Sequence, residues 1–132
     1  MKKKSLFAKF PEISLAFQYG SSVKKNFHQA KDVDVAVLFK TEPTAKRRLE
    51  IQLNLAEALK EFYGKEIDIA ILNTASPFLA YQVIKYGRPI YGDKKRRCAF
   101  VVRTLTRYFD ALFLHQFFIH RLEKKLGVAP HG

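Results

Sequence analysis

Asp32-Val33-Asp34-Val35-Ala36-Val37-Leu38 is the stretch whose reading decides the rest of the chain. It is rich in β-branched residues and its first half alternates, which reads as a strand. Successive strand side chains point to opposite faces. Asp32 and Asp34 therefore project together, while Val33, Val35 and Val37 face a core. Glu66-Ile67-Asp68-Ile69-Ala70-Ile71-Leu72 repeats the pattern, with Asp68 on its polar side.

Between the two strands, Glu42-Pro43-Thr44 marks a helix start with Thr44 as cap. The helix is expected from about Ala45 to Tyr63, closed by Gly64. Leu49, Leu53, Ala56 and Tyr63 make one apolar stripe, which Ile51, Leu55, Ala58 and Phe62 widen, so the helix reads as largely covered. Upstream, Leu15 to Tyr19 reads as a strand ended by Gly20-Ser21-Ser22. Ser21 or Ser22 then caps a short helix over about Val23 to Gln29. Downstream, Ser76 caps a helix with Pro77 at its first position, which ends near Gly87. Pro89-Ile90-Tyr91 is a short extended piece, and Asp93 to about Leu126 is helical, with room for one break. Strands alternating with helices give an α/β (α+β) architecture.

The chain has 132 residues, the size of one compact domain spanning 1–132. With 48% hydrophobic residues it can bury a core, which excludes a disordered tail. One cysteine, Cys98, cannot make an internal disulfide, and no Cys/His cluster has zinc spacing. Cys98 begins an apolar run and is expected to be packed. His28, His115, His120 and His131 have no ligand spacing among themselves. The opening Met1-Lys2-Lys3-Lys4 is not followed by a signal-peptide core, because Lys9, Pro11 and Glu12 interrupt it. No stretch approaches the roughly 18 apolar residues of a membrane span. A cytoplasmic setting without a membrane is expected.

The formal net charge of +12 favours an anionic ligand: nucleotide phosphate, nucleic acid or an acidic protein surface. Lys46-Arg47-Arg48 and Lys94-Lys95-Arg96-Arg97 open two helices, and most such runs are solvated surface. Phe100, Tyr108, Phe109, Phe113, Phe117 and Phe118 crowd the last helix with more rings than one core face needs. That reading points to a protein interface, with a second copy or with another protein.

Three features carry chemistry. Gly20-Ser21 stands at a strand–helix junction, where backbone N–H groups and a hydroxyl can meet phosphate, although ordinary turn chemistry also produces this pair. Asp32 and Asp34 share a face. Two carboxylates about 4 Å apart repel by roughly 4 kcal/mol at an effective dielectric of about 20. A divalent cation relieves that repulsion, and magnesium suits a few carboxylates completed by phosphate oxygens. Asp68 joins the cluster if its strand lies beside the first, as a metal ligand or as the base that takes a proton from an acceptor hydroxyl.

Gly20-Ser21, ten further residues, Asp32-Val33-Asp34 and then Asp68 resemble the signature of the DNA polymerase β-type nucleotidyltransferase superfamily. The spacing and short chain are similar to its minimal members, the MNT-domain antitoxins. The order Asp68-Ile69-Ala70-Ile71-Leu72-Asn73, Ala75-Ser76-Pro77 and Gly87-Arg88-Pro89-Ile90-Tyr91 extends the likeness over roughly residues 12 to 110. The resemblance implies a nucleotidyltransferase fold: a small mixed sheet flanked by helices, a catalytic core over about 12–92 and a C-terminal helical segment over about 93–126. It implies two Mg2+ ions, with Asp32 and Asp34 on both and Asp68 on one, and ATP as donor. It further implies AMP transfer to a tyrosine of a HEPN-domain ribonuclease toxin, with nucleic acid involved only through that partner.

Many relatives follow Gly-Ser with an Ala-Arg-Gly run. Here Ser22-Val23-Lys24-Lys25-Asn26 stands instead, and Lys24 or Lys25 is the candidate for the missing basic phosphate contact. Gly20, Ser21, Ser22, Lys24 and Lys25 are thus the nucleotide-binding candidates. Three other readings stay open: an antitoxin that neutralises by binding with little or no catalysis, a nucleotidyltransferase subunit acting on a small molecule, and a non-catalytic RNA binder, which only the net charge supports.

Overall fold

The computed structural model describes residues 3–24 and 27–127. Lys25 and His131 lie outside the described residues. The elements run α1 (Lys3–Phe7), β1 (Ile13–Tyr19), α2 (Ser21–Lys24), a 3₁₀ turn (Phe27–Gln29), β2 (Asp32–Phe39), α3 (Ala45–Tyr63), β3 (Glu66–Ile71), α4 (Pro77–Tyr86), β4 (Arg88–Tyr91) and α5 (Lys94–Leu126). The four strands form one mixed sheet in the order β3-β2-β1-β4. β1 is antiparallel to both neighbours, and β2 and β3 are parallel. A parallel pair needs a long crossover, which α3 provides.

Strand alternation sorts the core onto two sides of the sheet. Val33, Val35, Val37 and Phe39 pack with Ile51, Leu55 and Leu59 of α3 and with Leu6 and Phe7 of α1. On the other side Ala36, Leu15 and Phe17 pack with Ala80 and Val83 of α4 and Phe100 of α5. Asp32 and Asp34 belong to this second side by their place in the alternation.

Caps set the helix ends as expected. The Thr44 hydroxyl accepts from Arg47 N–H, the Ser76 hydroxyl from Leu79 N–H, and Pro77 opens α4. The orientation of α3 differs from expectation. Leu49 and Leu53 are 57% and 60% exposed, while Ile51, Leu55 and Leu59 are buried. The helix carries two apolar stripes on opposite sides, and the sheet covers only one. Glu57 and Lys60 fall on the Leu49–Leu53 side, whereas Leu59 extends the Ile51–Leu55 line by a turn, so that line is buried.

The expected Val23–Gln29 helix is replaced by the four residues of α2 and a separate turn. α1, not foreseen, plugs one end of the core, with Phe7 stacked on Tyr91 at 4.9 Å. Cys98 is exposed rather than packed, because the buried line of α5 runs through Phe100 and Thr104. α5 is continuous over 33 residues, about 50 Å. Its body contact ends near Tyr108, which stacks on Tyr81 at 3.8 Å. Beyond it Phe109, Phe113, Phe117 and Phe118 are all exposed. Among the described residues no helix is long and apolar enough to cross a membrane.

Candidate active site

Three acids meet because of strand register. Asp34 on β2 is the direct partner of Asp68 on β3, and Asp32 precedes Asp34 by two residues on the same face. Neighbouring strands lie about 4.8 Å apart. The register is held at both ends. The Lys65 ammonium donates to Ala30 O. At the far end the Asn73 side chain accepts from Phe39 N–H at 2.8 Å and donates to Phe39 O at 3.1 Å.

Asp34 is half-buried, and Asp32 and Asp68 face solvent. Burial, then the charges of Asp68 and Asp32, push the Asp34 carboxyl above its ordinary value. None of the described ion pairs engages these three acids. Among the described residues no three His, Cys, Asp or Glu side chains stand, as they are oriented here, close enough together to hold a metal ion. The trio is an open array. Its donor set, hard oxygens under mutual repulsion, fits magnesium whose shell is completed by phosphate oxygens and water. Tyr19, opposite Asp34 on β1, shares this face. Burial and then the charges of Asp34 and Asp68 raise its phenol above the ordinary range.

Gly20 turns the chain out of β1 in the left-handed region, with φ +76°. Its carbonyl accepts from Val23 N–H and Lys24 N–H, both at 3.1 Å, which ties α2 to the strand end. A Cβ here would overlap Asp34 Oδ2, so only glycine lets the loop lie against that carboxylate. Ser21 is exposed. Ser22 is buried: its hydroxyl accepts from Gln18 Nε2 at 3.0 Å and donates to Tyr19 O at 3.5 Å. Gln18 Oε1 in turn accepts from the Tyr63 hydroxyl at 3.4 Å. The serine open to solvent is therefore Ser21, and Ser22 braces the loop from behind. A helix of four residues has little dipole, so anion attraction rests on local N–H groups and on lysine. The Lys24 ammonium lies 4.6 Å from the Tyr86 ring centroid.

Tyr19, Gln18, Tyr63 and Tyr86 have no site role in the sequence reading, where Tyr63 figures only in an apolar stripe. Gln18, a lone amide inside the apolar Leu15–Tyr19 run, was the one visible signal among them.

Carboxylates on adjacent strands beside a Gly-Ser loop are the arrangement the sequence reading expects of a nucleotidyl-transfer site. The sequence profile of the polymerase beta nucleotidyltransferase family matches residues 2–96, and the chain belongs to that family. The protein adenylyltransferase MntA of Shewanella oneidensis is 30% identical over 98 residues, covering 74% of this chain and 68% of that protein. A toxin–antitoxin structure with AMP-PNP aligns at TM-score 0.70 and 26% identity, covering 89% of this chain and 93% of that one. A complex of tri-AMPylated HEPN toxin with MNT antitoxin, also from Shewanella oneidensis, aligns at TM-score 0.67 and 25% identity, covering 89% and 90%.

Proposed function

We propose that this nucleotidyltransferase is a cytoplasmic antitoxin that moves AMP from ATP to a tyrosine hydroxyl of a HEPN-domain ribonuclease toxin. The carrying observation is the pairing of Asp34 with Asp68 with Asp32 on the same face, which gathers three carboxylates beside the loop. The similar proteins that are named as an adenylyltransferase, or solved with an ATP analogue or an AMPylated toxin, support the donor and the acceptor class.

In this reading Asp32 and Asp34 hold Mg2+ and Asp68 completes the set. The bound ions supply Lewis-acid stabilisation of charge on the phosphate oxygens. Gly20, Ser21 and Lys24 orient the donor phosphates, and Lys25 follows Lys24 in the chain. The acceptor oxygen attacks the α-phosphorus, the bond to pyrophosphate breaks, and the hydroxyl proton leaves toward a carboxylate. Asp68, open to solvent, is placed either to receive that proton or to share the cation.

The test is intact-mass analysis of the partner toxin after incubation with the protein, magnesium and ATP. Wild type adds one or more AMP units. Asp34→Asn lowers the rate by roughly three orders of magnitude, about 4 kcal/mol of transition-state stabilisation, while remaining folded. A fully active Asp34→Asn variant sinks the metal-site assignment. The exposed apolar stretch of α5 favours a second contribution, neutralisation by binding. An Asp32/Asp34 double variant that still neutralises the toxin would make occlusion the dominant one.

A further inference from the structure

Beyond the end of β1 the acids stand on the neighbouring strands β2 and β3, and a pair of cations from α2 and α4 gathers on Tyr86. Gln18 pairs with Arg88 of β4. A Cβ on Gly87 would stand 3.1 Å from Gln18 O, so the C-terminal end of α4 is pressed against the strand where the Gly20 turn begins. Tyr86 lies at that end, 44% exposed. Two ammoniums gather on its ring, Lys24 from α2 at 4.6 Å and Lys85 at 5.2 Å from the centroid. Lys85 is also held over Tyr81, at 5.5 Å, and Tyr81 is fixed by its stack on Tyr108. Neither lysine belongs to any of the described ion pairs. Cation–π contact holds such groups in place without neutralising them, so like charges brought together in this way remain available to an anion.

We propose that Lys85 and Lys24, collected on Tyr86, form the subsite for the donor's β- and γ-phosphates and for the leaving pyrophosphate. The inference rests on the nucleotidyl-transfer reading and deepens it. It gives the Gly20–Ser21 loop, whose following segment carries lysine and no arginine, a cationic site built from two elements. One ring gathers both ammoniums, and two cations together match the multiple charges of a polyphosphate better than the single phosphate of AMP. Lys24 and Lys85 act by direct contact with phosphate, and Tyr86 is a positioning residue.

Calorimetric titration with ATP, AMP and inorganic tripolyphosphate, each with magnesium, tests the assignment. In Lys85→Gln and Tyr86→Ala, binding of ATP and tripolyphosphate weakens about fivefold to tenfold, while AMP binding is unchanged. Lys85→Arg restores the wild-type values. Tyr86→Phe, which keeps the ring and the fold, retains most of the Lys24 contribution. Unchanged ATP binding in Lys85→Gln and Tyr86→Ala overturns the subsite. If Asp34→Asn still blocks transfer, the adenylyl-transfer reading survives that result. An equal loss for AMP and ATP also overturns the subsite, because the pair would then not be reading the phosphate tail. Wild type that binds no ATP overturns both readings.

Discussion

Replacing Gly20 by alanine separates backbone strain from damage to the acid cluster, because Gly64 supplies the control. Gly20 and Gly64 have nearly the same left-handed backbone, φ +76° and +72°. Alanine there costs about 1–2 kcal/mol, and a less flexible unfolded chain returns about 0.4–1 kcal/mol. At Gly64 nothing lies within 4 Å of the added carbon, so Gly64→Ala carries the strain alone, a net ~1 kcal/mol. At Gly20 the added carbon would lie 3.3 Å from Asp34 Cγ and overlap Oδ2. The carboxylate has to shift by about an ångström, at an off-rotamer cost of about 0.5–1.5 kcal/mol. Gly20→Ala is then destabilised by ~2 kcal/mol in all. For a chain of this length each kcal/mol moves the melting point by about 3–4 °C. Thermal melts should therefore show Gly64→Ala down by roughly 3 °C and Gly20→Ala by roughly 7 °C. The larger separation is in activity. Misplacing a reacting group by about an ångström costs about a hundredfold, so single-turnover AMP transfer falls by about that factor in Gly20→Ala and stays at wild type in Gly64→Ala. Equal transfer rates in the two variants would refute the claim that Gly20 exists to make room for Asp34.

The orientation of α3 is checked by urea unfolding. Leu55→Ala should lose about 2–5 kcal/mol, because that side chain is fully buried, whereas Leu53→Ala stays within about 0.5 kcal/mol. The Glu12 carboxyl is held below its ordinary value chiefly by its hydrogen bond from Arg47, at 2.6 Å. Its stabilising contribution is present above the ordinary glutamate range and is lost as pH falls through the lowered value. The melting advantage of wild type over Glu12→Gln should therefore be constant near neutrality and vanish in acid. Phe113, 69% exposed on α5, should be replaceable by serine without change in melting point, while affinity for the toxin measured by surface plasmon resonance falls more than tenfold.

The parts of this fold written in local pattern were legible. β2 and β3 show period two, Thr44, Ser76 and Pro77 announce helix starts, and Gly64 ends α3. The shared face of Asp32 and Asp34 followed from period two alone. That Asp68 stands opposite Asp34 is a matter of register, which depends on tertiary ties such as Asn73 to Phe39 and which no periodicity contains. The two stripes of α3 illustrate the same limit. Local pattern shows that a helix has apolar sides, and packing decides which one the sheet receives. Ser22 and Cys98 fall to the same cause. A hydroxyl beside Gly20 looks available until Gln18 is found behind it, and a thiol heading an apolar run looks packed until the helix phase turns it outward.

α5 joins the two halves of the proposed activity. Its N-terminal half completes the core through Phe100, on the sheet side where Ala36 packs, and Asp34 lies on that same side two residues earlier. The remainder of the helix leaves the body with its rings uncovered. An isolated helix of this kind draws little stability from propensity alone, so a covering surface stabilises it directly. The helix that carries the rings is thus anchored, at its start, on the acid-bearing side of the sheet. The clustered Lys94 to Arg97 at the start of the helix and Lys124 and Lys125 at its end oppose side-by-side pairing of two copies in either direction. They favour a partner whose apolar groove has an acidic rim. In the proposed reading binding and chemistry are divided between two elements: the helix supplies affinity, and β2 and β3 supply the carboxylates that an acceptor hydroxyl must reach.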